Sequence, residues 1–146
     1  MNNDFQKVTP ATLKEIWHKM DSLYVFYAKS VGLNFTTILV LQLLYDSADV
    51  YTQKEVCEKL SLPKQLVNSI IKSFWEQGYV ELKEAKDRRN KKIIVTGKGM
   101  EYAAKVLKPL KDAESIIWDS LSAEELNTLA KIMEKQLKAY EGALKG

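Results

Sequence analysis

The apolar positions divide the chain into six helical stretches and one pair of short strands. In the first stretch Leu13, Ile16, Trp17, Met20, Leu23, Tyr24 and Tyr27 recur three and four apart, the repeat of one helix face. With Thr9 or Thr12 as cap, this predicts a helix to about Lys29. Val25 and Phe26 fall off that face, so the helix is expected to pack against two surfaces, one of them offered by another subunit. Val31-Gly32-Leu33-Asn34 breaks it. Residues 35–45, rich in Leu, Ile and Val, form a second helix that ends in a polar turn over residues 46–49.

Thr52-Gln53-Lys54-Glu55 has the form of a capping box and opens a third helix over residues 53–60. Val56 and Leu60 make its buried face. Cys57 is expected to be a small core residue at a tight helix crossing. Ser61-Leu62-Pro63 turns the chain. Pro63 suits the first turn of a fourth helix over residues 64–77, where its missing amide proton costs nothing. In that helix Leu66, Val67, Ile70, Ile71, Phe74 and Trp75 are apolar, and Trp75 is expected to thicken the core. Lys64, Gln65, Asn68, Ser69, Lys72 and Ser73 make the polar face, with no acid until Glu76. Lys suits guanine edges, Gln and Asn suit adenine edges, and Ser serves a base or a phosphate. By itself such a stripe also reads as an ordinary solvated helix face. Gly78 stops the helix, and the apolar runs 79–82 and 93–95 form a hairpin around a charged loop.

Thr96-Gly97-Lys98-Gly99 opens a fifth helix carrying Met100, Ala103, Ala104, Val106, Leu107 and Leu110. Pro109 is expected to kink rather than end it, because the pattern resumes at Ala113, Ile116, Ile117 and Trp118. Ser122-Ala123-Glu124-Glu125, a second capping box, opens the last helix, with Leu126, Leu129, Ile132, Met133, Leu137 and Tyr140 on one face. The first and last helices together offer more apolar surface than one small domain buries, which predicts a homodimer.

Composition narrows the function. With 146 residues, 46% hydrophobic and 28% charged, the chain should form one globular domain. Its parts are residues 1–34, an N-terminal dimerisation helix, residues 35–96, a DNA-binding region, and residues 97–146, C-terminal dimerisation helices. The net charge of +3 is unevenly placed. Residues 83–98 hold seven Lys or Arg against two acids, a local +5 that leaves −2 for the rest. Asp87, Arg88, Arg89, Lys91 and Lys92 crowd the hairpin turn, where Asp87 can hold one guanidinium in a fixed fork. Two helices at helix-turn-helix spacing followed by a basic hairpin is a DNA-reading arrangement. The single cysteine fits a reducing cytoplasm, and the start MNNDFQKVTP has no signal pattern. No apolar run approaches the roughly 18 residues a membrane helix needs, so no membrane partner is expected. One His and one Cys, on different helices, supply neither a metal site nor a nucleophile–base pair. No catalytic residue, cofactor or enzymatic activity is therefore expected.

The pattern resembles the MarR family of winged-helix transcriptional regulators along essentially the whole chain. The wing motif reads Asp87-Arg88-Arg89-Asn90-Lys91-Lys92-Ile93-Ile94-Val95-Thr96, then Gly97-Lys98-Gly99. The segment from Leu60 to Asn68 and the stop at Gly78-Tyr79-Val80 sit at the family's spacing. The resemblance implies a mainly α fold with a small β-hairpin wing, a winged helix-turn-helix whose N- and C-terminal helices form a dimerisation region. It implies a homodimer on a pseudo-palindromic double-stranded DNA operator, more often a repressor, released in many relatives by a small, often phenolic, ligand. Lys64, Gln65, Asn68, Ser69 and Lys72 would meet the major groove. Arg89, steadied by Asp87, would enter the minor groove, with Arg88, Lys91 and Lys92 at the wing's groove and phosphates. Trp17, His18, Tyr24 and Tyr27 are candidate ligand-pocket residues, or else dimer core. The chain departs from the family at Leu66, where Ser or Thr is frequent, and at Trp75, where a polar residue is usual. The reading from another class is a winged helix used as a protein-interaction module for an acidic partner.

Overall fold

The computed structural model describes residues 7–84 and 90–146. Six helices and one hairpin follow in the order α1 (Pro10–Ser30), α2 (Phe35–Asp46), α3 (Gln53–Leu60), α4 (Lys64–Glu76), β1 (Val80–Lys83), β2 (Lys92–Val95), α5 (Gly97–Asp119) and α6 (Ala123–Leu144). The strands pair antiparallel, Val80 with Val95 through Lys83 with Lys92. The first begins one residue later than its apolar run, because the Tyr79 amide turns back to the Phe74 carbonyl just past the end of α4. The linker before α3 joins the hairpin: Thr52 bridges Lys92, and the Ile93 amide donates to the Tyr51 carbonyl at 2.8 Å.

Local chemistry sets these boundaries. Thr52 and Ser122 each accept from the amide three residues on, Glu55 and Glu125, whose carboxylates accept from the cap amides at 3.1 Å. Thr9 caps α1 and Asn34 caps α2 through their side-chain oxygens. At the end of α4, Gly78 has φ +78°. Its amide donates to the Trp75 carbonyl at 3.0 Å, and the Tyr79 amide to the Phe74 carbonyl at 2.8 Å. This is a Schellman stop, completed by the Phe74 and Tyr79 rings at 6.4 Å. The same pair of bonds around Gly32 ends α1. Ser61 takes the left-handed conformation at the end of α3, which turns the chain into α4.

The chain divides into two compact units, one ending at Leu107 and one spanning Lys108–Gly146. The first has its core in Ile38, Val40, Leu41 and Leu44 of α2, Val56 of α3, and Val67, Ile70, Ile71 and Phe74 of α4. Val80, Ile93, Ala103, Val106 and Leu107 close it. Each large apolar side chain buried here contributes about 1.5–3 kcal/mol. In α1 only Ala28 is buried; Leu13, Ile16, Trp17, Met20 and Leu23 are exposed, and so are the off-face Val25 and Phe26. In the second unit α6 buries none of its residues, leaving Leu129, Ile132, Met133, Leu137 and Tyr140 exposed. α5 runs through Pro109, which has no amide proton to give the Lys105 carbonyl.

Three expectations for the reading module change. Trp75 is 55% exposed rather than core. It stands seven residues after Asn68 and eleven after Lys64, on the edge of α4 where the apolar stripe gives way to the polar one. Cys57 is half-buried, on the rim of a surface concavity and not at a closed crossing. Leu60 is half-buried too, beside Leu39, Leu43 and Tyr51 in a shallow depression.

Candidate nucleic-acid interface

The sequence of α4 puts one kind of residue outward. With Val67, Ile70, Ile71 and Phe74 turned into the core, Lys64, Gln65, Asn68, Ser69 and Lys72 are all exposed. The structure divides this face between two hollows. Lys64 and Asn68 line a concavity of about 560 Å³ with Gln53, Lys54, Cys57 and Glu58 of α3 and with Asn90 and Lys91 at the base of the wing. Three ammonium groups against one carboxylate make it electropositive, which suits a phosphodiester backbone. Ser69 lies on the other flank, where Leu66, Ser73 and Gln77 border a second hollow of about 420 Å³ beside Gly32, Leu33, Asn34 and Thr37. The five predicted contact residues therefore share one helix face but have different neighbours.

Gln53 and Lys54 are candidate contact residues that the sequence reading used only as part of a capping box. In a helix-turn-helix the first helix crosses the DNA backbone, and its first turn faces the same ligand as the recognition helix. Their position two helices before the basic hairpin is the signal that was there to use.

Of the predicted wing residues, Asp87, Arg88 and Arg89 lie outside the described residues. Lys91 and Lys92 are exposed. Lys92 opens β2, with its backbone paired to Lys83 and bridged to Thr52. Lys98, the last of the seven basic residues, is spent elsewhere: its ammonium donates to the Gln77 carbonyl at 2.9 Å and lies 5.5 Å from the centre of the Tyr79 ring.

The four aromatic candidates of α1 separate. Trp17 and His18 are exposed. Tyr24 meets the edge of Phe35 at 5.6 Å. The Tyr27 hydroxyl donates to the Val106 carbonyl, and burial holds it above the usual phenol range. None of the four lines the hollows described above. Among the described residues no three His, Cys, Asp or Glu side chains come together to hold a metal, and no single helix is long and apolar enough to cross a membrane.

A helix-turn-helix flanked by a two-stranded wing, with a long helix before it and two after, is a winged-helix DNA-binding fold. A family model described as MarR family matches residues 31–90. Among solved structures, NMB1585, a MarR family regulator from Neisseria meningitidis, is 28% identical over 87% of this chain and 96% of that one, with a TM-score of 0.61. MepR of S. aureus in its DNA-binding conformation is 20% identical over 90% of this chain and 98% of that one, with a TM-score of 0.75. MepR in complex with DNA is 20% identical over 91% and 99%, with a TM-score of 0.70. At 20% identity the MepR structures establish a common fold. No curated protein matches the sequence. Over residues 31–90 the chain matches the MarR family model, and its fold is that of solved MarR family regulators.

Proposed function

We propose that the protein is a sequence-specific double-stranded DNA-binding transcriptional regulator, working in the cytoplasm as a homodimer on a pseudo-palindromic operator. The observation that carries this reading is the exposed face of α4, basic and amide-bearing, without an acid before Glu76 and continued by Lys54 and Lys91. Lys64, Gln65, Asn68, Ser69 and Lys72 meet base edges and phosphates in the major groove. Arg89, braced by Asp87, enters the minor groove, where A·T-rich sequence deepens the negative potential. Arg88, Lys91 and Lys92 neutralise phosphates beside it. The complex of MepR with DNA, on the same fold, supports DNA binding. The exposed apolar stripes of α1 and α6 support pairing of two copies. The regulation proposed is repression relieved by a small phenolic or similar ligand, with Trp17, His18, Tyr24 and Tyr27 as candidate walls.

Affinity and its salt dependence test the wing and the helix together. Replacing Arg89→Ala is expected to cost about 1–3 kcal/mol of operator affinity while leaving the thermal midpoint in place. Log affinity of the unaltered protein should fall with log salt at a slope of about −0.9 per phosphate neutralised. Unchanged binding by the Arg89→Ala variant across the salt series would remove the wing from the interface.

A further inference from the structure

The last carbonyls of a helix have no partner within it and must find one elsewhere. In α4 the first of them are met locally, by the Schellman stop. Just past the helix, the carbonyls of Gln77, Gly78 and Tyr79 are all met from the start of α5. The Lys98 ammonium donates to the Gln77 carbonyl at 2.9 Å. The Thr96 hydroxyl donates to the Gly78 carbonyl at 2.7 Å, and the Thr96 amide to the Tyr79 carbonyl at 3.0 Å. The same hydroxyl accepts the Gly99 amide at 3.0 Å, so one oxygen ties the end of α4 to the first turn of α5. The Tyr79 ring lies flat on Tyr102, with centroids 4.2 Å apart and planes 5° apart. A positive charge at the carbonyl end of α4 also complements the helix dipole there.

We infer that the first turn of α5, through Lys98 and Tyr102, is a positioning device that fixes the direction of the recognition helix α4 and so sets which spacing of operator half-sites the protein accepts. Lys98 belongs by sequence to the basic wing run, yet its ammonium is held at the joint. The inference rests on the dimeric DNA-reading function proposed above. If two copies pair, two recognition helices are held at one separation only as firmly as each is held to its own α5. One base pair inserted between half-sites moves one of them by about 3.4 Å and turns it by about 35°. A stiff joint rejects that change, and a loosened joint accommodates it.

The test uses the full chain and a two-half-site operator selected from random DNA by the unaltered protein. Affinity is measured for that operator, for versions with one base pair inserted or removed between half-sites, and for an isolated half-site. The unaltered protein should lose about tenfold or more with either spacing change. The Lys98→Met variant keeps the aliphatic stem over Tyr79 and removes the donor. It should bind the isolated half-site within twofold of the unaltered protein, at an unchanged thermal midpoint, while its spacing penalty drops to about threefold or less. Tyr102→Leu, which removes the stacked ring, should relax spacing in the same way. Full spacing discrimination in both variants would overturn the inference. So would a spacing-tolerant unaltered protein. A fall in half-site affinity in the Lys98→Met variant would make Lys98 a phosphate contact and overturn it as well. Failure to select any DNA sequence would remove the proposed function itself, and the inference with it.

Discussion

The Gly99→Ala substitution should destabilise the protein by about 3 kcal/mol, the upper part of the range for forcing an atom into a filled site. A Cβ on Gly99 would stand 2.0 Å from the Tyr79 carbonyl oxygen and 2.9 Å from its carbon, and both are backbone atoms that no rotamer change can move. The strand–helix junction must shift instead. That shift would break the hydrogen bond that the Thr96 amide donates to the Tyr79 carbonyl and move the Tyr79–Tyr102 stack. For a chain of this size the thermal midpoint should fall by about 10 °C. Gly97, two residues earlier, provides the comparison. A Cβ there meets nothing within 4 Å, so Gly97→Ala should be neutral or stabilise by up to about 1 kcal/mol through the unfolded chain. Paired thermal melts of the two variants check both. Equal midpoints would mean that the close approach at Gly99 does not exist.

A single carboxylate on the apolar face of α6 should dissociate the proposed homodimer. Leu137 is 58% exposed within one chain and shares its stripe with Leu129, Met133 and Tyr140. If that stripe is covered by a second copy, Leu137→Glu buries a charge without a partner from each copy at the interface. The cost of about 3 kcal/mol weakens association by roughly a hundredfold or more. Operator affinity should fall at least as far, because a second reading head held at short range multiplies binding by about 10²–10⁴. Lys138→Glu, one residue on and on the opposite face, should change neither mass nor affinity. Sedimentation at micromolar concentration reads the first effect and DNA titration the second. A Leu137→Glu protein that stays dimeric and binds normally would place the subunit contact elsewhere.

The parts of the fold that were legible in the sequence are those encoded within a few residues. Both capping boxes, the Gly78 stop, the Ser61-Leu62-Pro63 turn and the paired strands fall within one residue of their expected positions, because each is a short-range pattern of donors, acceptors and backbone freedom. Assigning residues to the edge of a helix face was less secure. Periodicity places Trp75 and Cys57 beside apolar neighbours, but whether an edge residue is covered depends on what packs there, and the chain leaves both open to solvent in part. The use of Lys98 was not legible, since its partner carbonyl lies 21 residues earlier and nothing in a basic run distinguishes the residue that turns back. Gln53 and Lys54 escaped for a related reason. In the sequence they are only the two residues between Thr52 and Glu55 of the capping box, and their place beside Lys64 and Asn68 exists only in three dimensions.

The exposed polar face of α4 and the basic wing mean most if they read sequence and do not merely attract charge. Selection of fragments from a random duplex pool by the purified protein, followed by sequencing, measures this directly. The expected result is enrichment of one motif with two inverted half-sites about one helical turn apart, bound at least about 10³-fold more tightly than unselected DNA. A pool that stays random, with weak binding indifferent to sequence beside a tight complex with an acidic protein, would contradict it.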